Sequence, residues 1–407
     1  VNPALETLIL AFSGEEGLRV PSRALFIGAQ AHPALKAWQE PLGWQPFKPL
    51  ADAWDRAGLA RMDELPDGKW PLVLVLPGKS RDETLLWFAL SKDRLEPGGS
   101  IVAAMPNTAG ASRFEKELTQ AAGNITSIQK HKCRAFHAVD DGSWNGETLN
   151  AWRSLGGFRE VAGTRYLTQA GIFSSEHIDP GSLLLAQHLP ENLRGHVADL
   201  GAGWGYLSDV ALAHCPGIER LDLFEADARA LACAKRNLAR HLPPENPLNP
   251  TSEIPKVISG DLTTDYTDFT DSRIHQEGSK TVPQTSSKSV SIREIRGSNS
   301  VSQSNSPVIC NCNEPCVRFH WHDVTTGLPE TYDAILMNPP FHTGQHADVD
   351  LGRAFLSVAA ASLKRNGKLL LVANRQLPYE PLLDSLRLAW RKVAEDGTYK
   401  VIFADKR

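Results

Sequence analysis

The sequence predicts an α/β protein made of two tandem, doubly wound halves. Three observations carry that expectation. Short, nearly continuous apolar runs recur along the chain, as in parallel sheets covered on both faces. Helical patterns separate the runs. The runs also come in the same order twice, once before and once after residue 160.

In the first half the candidate strands are "RALFIGAQ" (Arg23 to Gln30), "WPLVLVLPGKS" (Trp70 to Ser80) and "LEPGGSIVAAMPN" (Leu95 to Asn107). The stretch "RDETLLWFALSKDRL", Arg81 to Leu95, reads as a helix between them. In the second half "HVADLGAGWG", "YDAILMNPPF" and "KRNGKLLLVANR" repeat the order, with "FLSVAAASLKRNG" as a helix that Gly367 would stop. The two halves read as a duplication. "FIGAQAHP" stands where the second half has "DLGAGWG", and "LPGKS" where it has "MNPPF". That "GKS" is not a phosphate loop, because Val73 occupies the place of the leading glycine. The first half is therefore expected to support the second or to position RNA.

Between the halves, "GIFSSEHIDPGSLLLAQHLP" starts as a loop and becomes a helix from about Gly181, with Asp179 or Ser182 as its cap. The expected domains are 1–160 and 161–407, with an insertion at 243–317 inside the second. The insertion is rich in Ser, Thr, Asn and Pro and poor in large apolar residues, so it is expected to stay mobile.

Composition narrows the function classes. The chain has 407 residues, 42% hydrophobic and 22% charged, in the range of soluble globular proteins. No apolar run approaches the ~20 residues of a membrane span. The first residues lack a secretory-signal pattern, so a cytoplasmic location is expected. A net charge of −4 argues against indiscriminate nucleic-acid binding. Local basic patches remain, at "KHKCR" (Lys130 to Arg134) and in Ala361 to Arg407, which holds ten Lys or Arg against five Asp or Glu. Cys133, Cys215 and Cys233 are scattered and read as small core residues. Cys310, Cys312 and Cys316, with His320 or His322, offer ligand types for zinc, but their spacing is not that of a standard finger, and no metal is assigned.

Chemistry concentrates in the second half. "VADLGAGWGYL" is a strand, a turn with Gly201, Gly203 and Gly205, and a helix. Glycines let a ligand approach the backbone, and a new helix offers free N–H groups. The pattern D-x-G-x-G-x-G differs from the dinucleotide fingerprint. Asp199 closes the strand, and a carboxylate there suits an ammonium group rather than a pyrophosphate. The next strand ends on Glu225, where an acid can accept from ribose hydroxyls. Asp227 then caps a helix. An amino-acid end plus a ribose end describes S-adenosyl-L-methionine. A polar residue for adenine is expected after the third strand, at Asp323 or Asp261; Asp323 is preferred because it lies outside the low-complexity segment.

Asn338, Pro339, Pro340 and Phe341 end the next strand. The prolines restrict the residues before them and stiffen the loop. The Asn338 amide oxygen and the Pro339 carbonyl can then accept from one NH₂ group and aim its lone pair at a methyl donor. Phe341 can stack on a flat base taken out of its helix or loop.

On these residues the second half resembles a class I S-adenosylmethionine-dependent methyltransferase of the small-domain type. The whole chain is similar to the bacterial ribosomal RNA guanine-N2 methyltransferases. Matching stretches are "KHKCRAFHA", "GIFSSEHIDPGSLLL", "VADLGAGWGYLS", "YDAILMNPPFHTG" and "LLLVANRQLPYEPLLD". The resemblance implies two tandem Rossmann-like class I methyltransferase domains, the N-terminal one degenerate. It implies that Asp199, Gly201, Ala202, Gly203, Glu225, Ala226, Asp323, Val324 and Asn338 bind the cofactor. Phe173 and Asp179 would close over it, and Asn338, Pro339, Pro340 and Phe341 would be catalytic. The implied partner is ribosomal RNA or a ribosomal subunit, with 16S RNA favoured over 23S, no membrane, and a monomer as default. Two other readings stay open. One is a protein-glutamine methyltransferase, which usually carries Tyr in place of Phe341 and a small helical N-terminal domain. The other is a non-catalytic RNA-binding assembly factor.

Overall fold

The computed structural model describes residues 2–15, 17–242, 315–340, 342–343, 346–347 and 349–407. Helix α1 (Pro3–Leu10) precedes the first sheet. That sheet's strands are β1 (Arg23–Ile27), β2 (Glu40–Trp44), β3 (Ala60–Met62), β4 (Trp70–Val75), β5 (Leu95–Pro106), β6 (Ile125–Lys130) and β7 (Cys133–Val139). Helices α2 (Lys48–Arg56), α3 (Arg81–Lys92) and α4 (Ala111–Ala122) connect them. Helix α5 (Gly146–Arg153) and a short pair, β8 (Arg159–Glu160) with β9 (Leu167–Thr168), lead to helix α6 (Pro180–Ala186).

The second sheet opens with β10 (Arg194–Leu200), α7 (Tyr206–His214), β11 (Gly217–Glu225) and α8 (Ala228–Asn237). It resumes with β12 (Cys316–Trp321) and β13 (Tyr332–Met337). A two-stranded ribbon of β14 (His342–Thr343) and β15 (His346–Ala347) follows. Then come α9 (Val349–Ser362), β16 (Leu363–Asn374), α10 (Glu380–Ser385), β17 (Leu388–Glu395) and β18 (Tyr399–Lys406).

The sheets share one topology. Their orders are β3-β2-β1-β4-β5-β7-β6 and β12-β11-β10-β13-β16-β18-β17. The first five strands of each run parallel, and the last two are antiparallel additions. Alternate strand residues enter opposite cores, as the pleat requires. In the first sheet Leu25, Ile27, Val73 and Val75 face one core and Ala24, Phe26, Leu72 and Leu74 the other. In the second, Leu200, Ile335 and Met337 oppose Val197, Ala334 and Leu336. Both faces are covered, which is why the strands read as continuous apolar runs.

The structure corrects four details of the sequence reading. Helix α9 ends at Ser362 and β16 begins at Leu363, so Gly367 does not stop the helix; Asn366, at φ 63°, turns the chain within β16. Cys316 and Val317, assigned to the insertion, open β12 and sit in the sheet. Ile27 and Leu200 pair with Val75 and Met337, so Leu76, not Pro77, matches Asn338. The duplication also reaches further than three strands, because α1 and α6 begin with matching Asn2-Pro3 and Asp179-Pro180. Both cap residues accept a backbone N–H, from Ala4 at 3.0 Å and from Ser182 at 2.8 Å.

The basic stretch "KHKCR" forms the turn between β6 and β7, with His131 and Lys132 both at positive φ (52° and 57°). No described helix is long and apolar enough to cross a membrane.

Candidate active site

Strand β10 lies at the switch point of its sheet, with β11 on one side and β13 on the other. A crevice opens beyond the carboxyl ends of such strands. Here it holds a cavity of about 410 Å³, within the size range of small-molecule sites. The cavity brings together Phe173, Asp179, Gly201 to Gly203, Glu225, Ala226, Asp323, Val324 and Asn338 to Pro340, all named from the sequence.

The glycine turn is built by backbone bonds across the sheet. Gly201 N–H and Ala202 N–H both donate to the Phe224 carbonyl, at 2.8 and 3.1 Å. Gly201 adopts φ 71°, where a side chain would be strained. Asp199 sits behind this turn rather than in the cavity. It is 1% exposed, and its Oδ2 accepts from Ser208 Oγ at 2.7 Å. Its Oδ1 has no hydrogen-bond partner among the described residues, and burial pushes its carboxyl up to about 6.

Glu225 ends β11 at the cavity wall. Its Oε2 accepts from Gly203 N–H at 2.7 Å and its Oε1 from Asp227 N–H at 2.8 Å. Each oxygen keeps a further lone pair for an incoming hydroxyl. Burial pushes this carboxyl up to about 7, against the backbone bonds that favour the anion. Asp227 caps α8 as expected, accepting from Arg229 N–H at 2.9 Å.

The Asn338 side chain is held from one end. Its Nδ2 donates to Asp179 Oδ2 at 2.7 Å and to Ser182 Oγ at 2.9 Å. A carboxylate only accepts, so the amide nitrogen must face Asp179 and the amide oxygen is left for another donor. Asp179 thus does two jobs, capping α6 and orienting Asn338. Asp323 caps a short 3₁₀ turn, its Oδ1 accepting from Thr325 N–H at 2.9 Å. Phe173 borders the cavity and is 62% exposed.

Phe341, Asp261, Cys310 and Cys312 lie outside the described residues. Cys316 is buried in β12, and His320 stacks on Phe224 at 4.5 Å between ring centres. No group of side chains among the described residues could hold a metal ion.

Residues 163–251 and 286–403, about half of the chain, match the methyltransferase small domain family. The chain belongs to that family. Its relatives include "Ribosomal RNA small subunit methyltransferase C" of Psychromonas ingrahamii, 26% identical over 77% of this chain and 70% of the relative. A protein of the same name from Pseudomonas paraeruginosa is 25% identical over 85% and 83%. Among solved structures, the T. thermophilus 16S rRNA N2 methyltransferase RsmC, in complex with AdoMet and guanosine, aligns with a TM-score of 0.68. It is 21% identical and covers all of this chain and 92% of its own, so the Rossmann-like methyltransferase fold extends through both halves.

Several residues of this methyltransferase cavity escaped the sequence reading. Ser182, His322 and Phe355 line it, and Phe47 and Pro49 reach it from the first half. The repeated Asp-Pro and Asn-Pro helix starts were a usable signal for Ser182. Nothing local in the sequence marks Phe47.

Proposed function

We propose that this chain is an S-adenosylmethionine-dependent methyltransferase that modifies the exocyclic N2 amino group of a guanine in 16S ribosomal RNA. The observation that carries the reading is the fixed Asn338 amide, with its oxygen left to accept from a substrate NH₂. The names of the Psychromonas and Pseudomonas relatives support the small-subunit RNA, and the T. thermophilus protein binds AdoMet and guanosine.

The residues fit the cofactor. Asp199 Oδ1 is a buried oxygen without a hydrogen-bond partner among the described residues, behind the glycine turn that borders the cavity. Glu225 can accept from two ribose hydroxyls, and Asp323, which also lines the cavity, can accept from an amino group. The bound cofactor supplies a methyl group on a sulfonium. Asn338 Oδ1 and the Pro339 carbonyl hold the two hydrogens of N2 and turn its lone pair towards that methyl. With the cofactor bound, transfer would form the N–C bond as the S–C bond broke, leaving a neutral thioether, and N2 would give up one proton to water. The chain's contribution is orientation and preorganised dipoles, so no strong base is required.

The test is methyl transfer from labelled cofactor to small subunits, large subunits, free RNA and protein, with nucleoside analysis. The expected product is N2-methylguanosine in 16S RNA. Label in 23S RNA, in N6-methyladenosine or in protein glutamine refutes the substrate assignment. No cofactor binding at millimolar concentration refutes the enzyme reading in favour of a non-catalytic one.

A further inference from the structure

The first half lends a loop to the second half's cavity. Gly28 N–H and Ala29 N–H donate to the Trp44 carbonyl at 3.0 and 3.1 Å, the same pattern that Gly201 and Ala202 make with Phe224. Trp44 therefore matches Phe224, Gln45 matches Glu225, and Phe47 matches Asp227. Gln45 Oε1 even accepts from Phe47 N–H at 3.0 Å, as Glu225 does from Asp227.

These two matching loops lie antiparallel against each other. Lys48 N–H donates to the Ala226 carbonyl at 2.8 Å, and Ala228 N–H to the Pro46 carbonyl at 2.9 Å. The Trp321 indole N–H is shared between the same two carbonyls, at 3.0 Å from Pro46 and 2.8 Å from Ala226. The exchange of side chains is reciprocal. Arg229 crosses into the first half, where it pairs with Glu83 and lies over Trp87. Phe47 and Pro49 cross the other way and line the second half's cavity.

Arg229 meets a filled site, but Phe47 meets an open one. Phe47 is 42% exposed, although backbone bonds pin the loop that carries it. A half-bare aromatic ring held rigidly beside a cavity is a surface for a flat ligand group. On the functional reading above, the amino-acid end lies by Gly201 and Asn338, and the ribose lies at Glu225. The base then continues past Ala226, whose carbonyl is bonded by Lys48 N–H and whose neighbour Asp227 is paired with Phe47. His322, Asp323 and Phe47 all line the cavity.

We propose that Phe47 of the first half forms one face of the adenine slot, so that the degenerate half is a working part of the cofactor site. The inference rests on the functional reading, and the full chain tests both separately. Calorimetry with S-adenosylmethionine and with S-adenosylhomocysteine should show Phe47→Ala weakening both by a similar factor, about ten-fold, as expected for a lost base–aromatic contact. Phe47→Trp should keep affinity near that of the native chain. In methyl-transfer assays, KM for the cofactor should rise with the Kd while kcat changes little. The ligand-free melting temperature should not move, because the side chain is half exposed.

Unchanged cofactor affinity in Phe47→Ala overturns the inference and leaves the functional reading intact. So does a loss confined to RNA turnover, which would put Phe47 on the substrate. Failure of the native chain to bind either cofactor form overturns the functional reading itself.

Discussion

The two halves of this molecule share strand order, register and helix starts, yet at the matching glycine turn one is open to a crevice and the other is packed shut. The difference lies in a few side chains at matching positions. Phe26 stands for Asp199, Gln30 for Gly203, Gln45 for Glu225 and Leu76 for Asn338. Trp87 and Phe355 match too, each placed equally far before paired Leu95 and Leu363. A Cβ on Gly28 would lie 2.4 Å from the Leu76 carbonyl oxygen and 2.6 Å from the Trp87 ring, so the first half's turn is packed shut. On Gly201 the nearest atom would be 3.5 Å away, on Phe355. The fold tolerates either set. What the open half keeps are buried polar groups that folding alone would not select, since burial disfavours both carboxylates.

The comparison can be broken by moving residues between the halves. The largest effect is expected from Asn338→Leu, which copies Leu76. It removes the acceptor for N2 and should lower single-turnover methyl transfer at saturating cofactor by about 10²–10³-fold, the scale of one lost transition-state contact. Next is the buried pair that closes the first half. Glu83, 3% exposed, shares Arg229 with Asp227, and both carboxylates hold Arg229 charged. Glu83→Ala should cost about 3 kcal/mol in denaturant unfolding, because it leaves the guanidinium short of a partner. The double variant with Arg229→Leu should recover much of that loss.

Phe355→Trp copies the plug of the first half. The larger ring should cut cofactor affinity by about 10- to 100-fold in calorimetry, the scale of 1–3 kcal/mol for forcing extra volume into a filled site. A folded chain with full affinity would show that Trp87 is not what closes the first half.

The smallest effect sharpens the comparison through pH. Burial raises Asp199 from 3.8 to about 6 and Glu225 from 4.5 to about 7. Each therefore adds stability that is complete below its unfolded value and is lost as pH rises through the folded value. The stability of the ligand-free chain should fall between about pH 4 and about pH 7, by an amount on the order of 1 kcal/mol or more per group, read as a falling melting temperature. Asp199→Asn should flatten the lower part of that fall. Cofactor affinity should run the opposite way, tightening as Glu225 ionises, and Glu225→Gln should remove that trend. Phe26 and Gln45, which hold these places in the first half, do not titrate and add nothing to either slope.

The sequence displayed what is local. The glycine turn, Glu225 after its strand and Asn-Pro-Pro after the next are short patterns bound to strand ends, and they converge as expected. It also displayed the duplication, though shifted by one residue at Leu76, because register is set by pairing across the sheet. Other features depend on distant partners. Asn338 takes its orientation from Asp179 and Ser182, more than 150 residues earlier. The burial of Asp199 behind its turn, against Ser208, was not legible either, because the sequence does not tell the front of a turn from its back. Phe47 enters the cavity only through the antiparallel pairing of two loops far apart in the chain.

That pairing has a consequence for the protein's history. Reviving the first half would require at least Trp87, Glu83 and Arg229 to change together. Arg229 belongs to the helix that follows the live ribose loop, so its loss would disturb the working site before the dormant one gained anything. Changing Glu83 or Arg229 alone leaves a buried charge without its partner. The exchange of side chains across the two loops acts as a ratchet, and the duplicate that lost its pocket has become bound to the survival of the other.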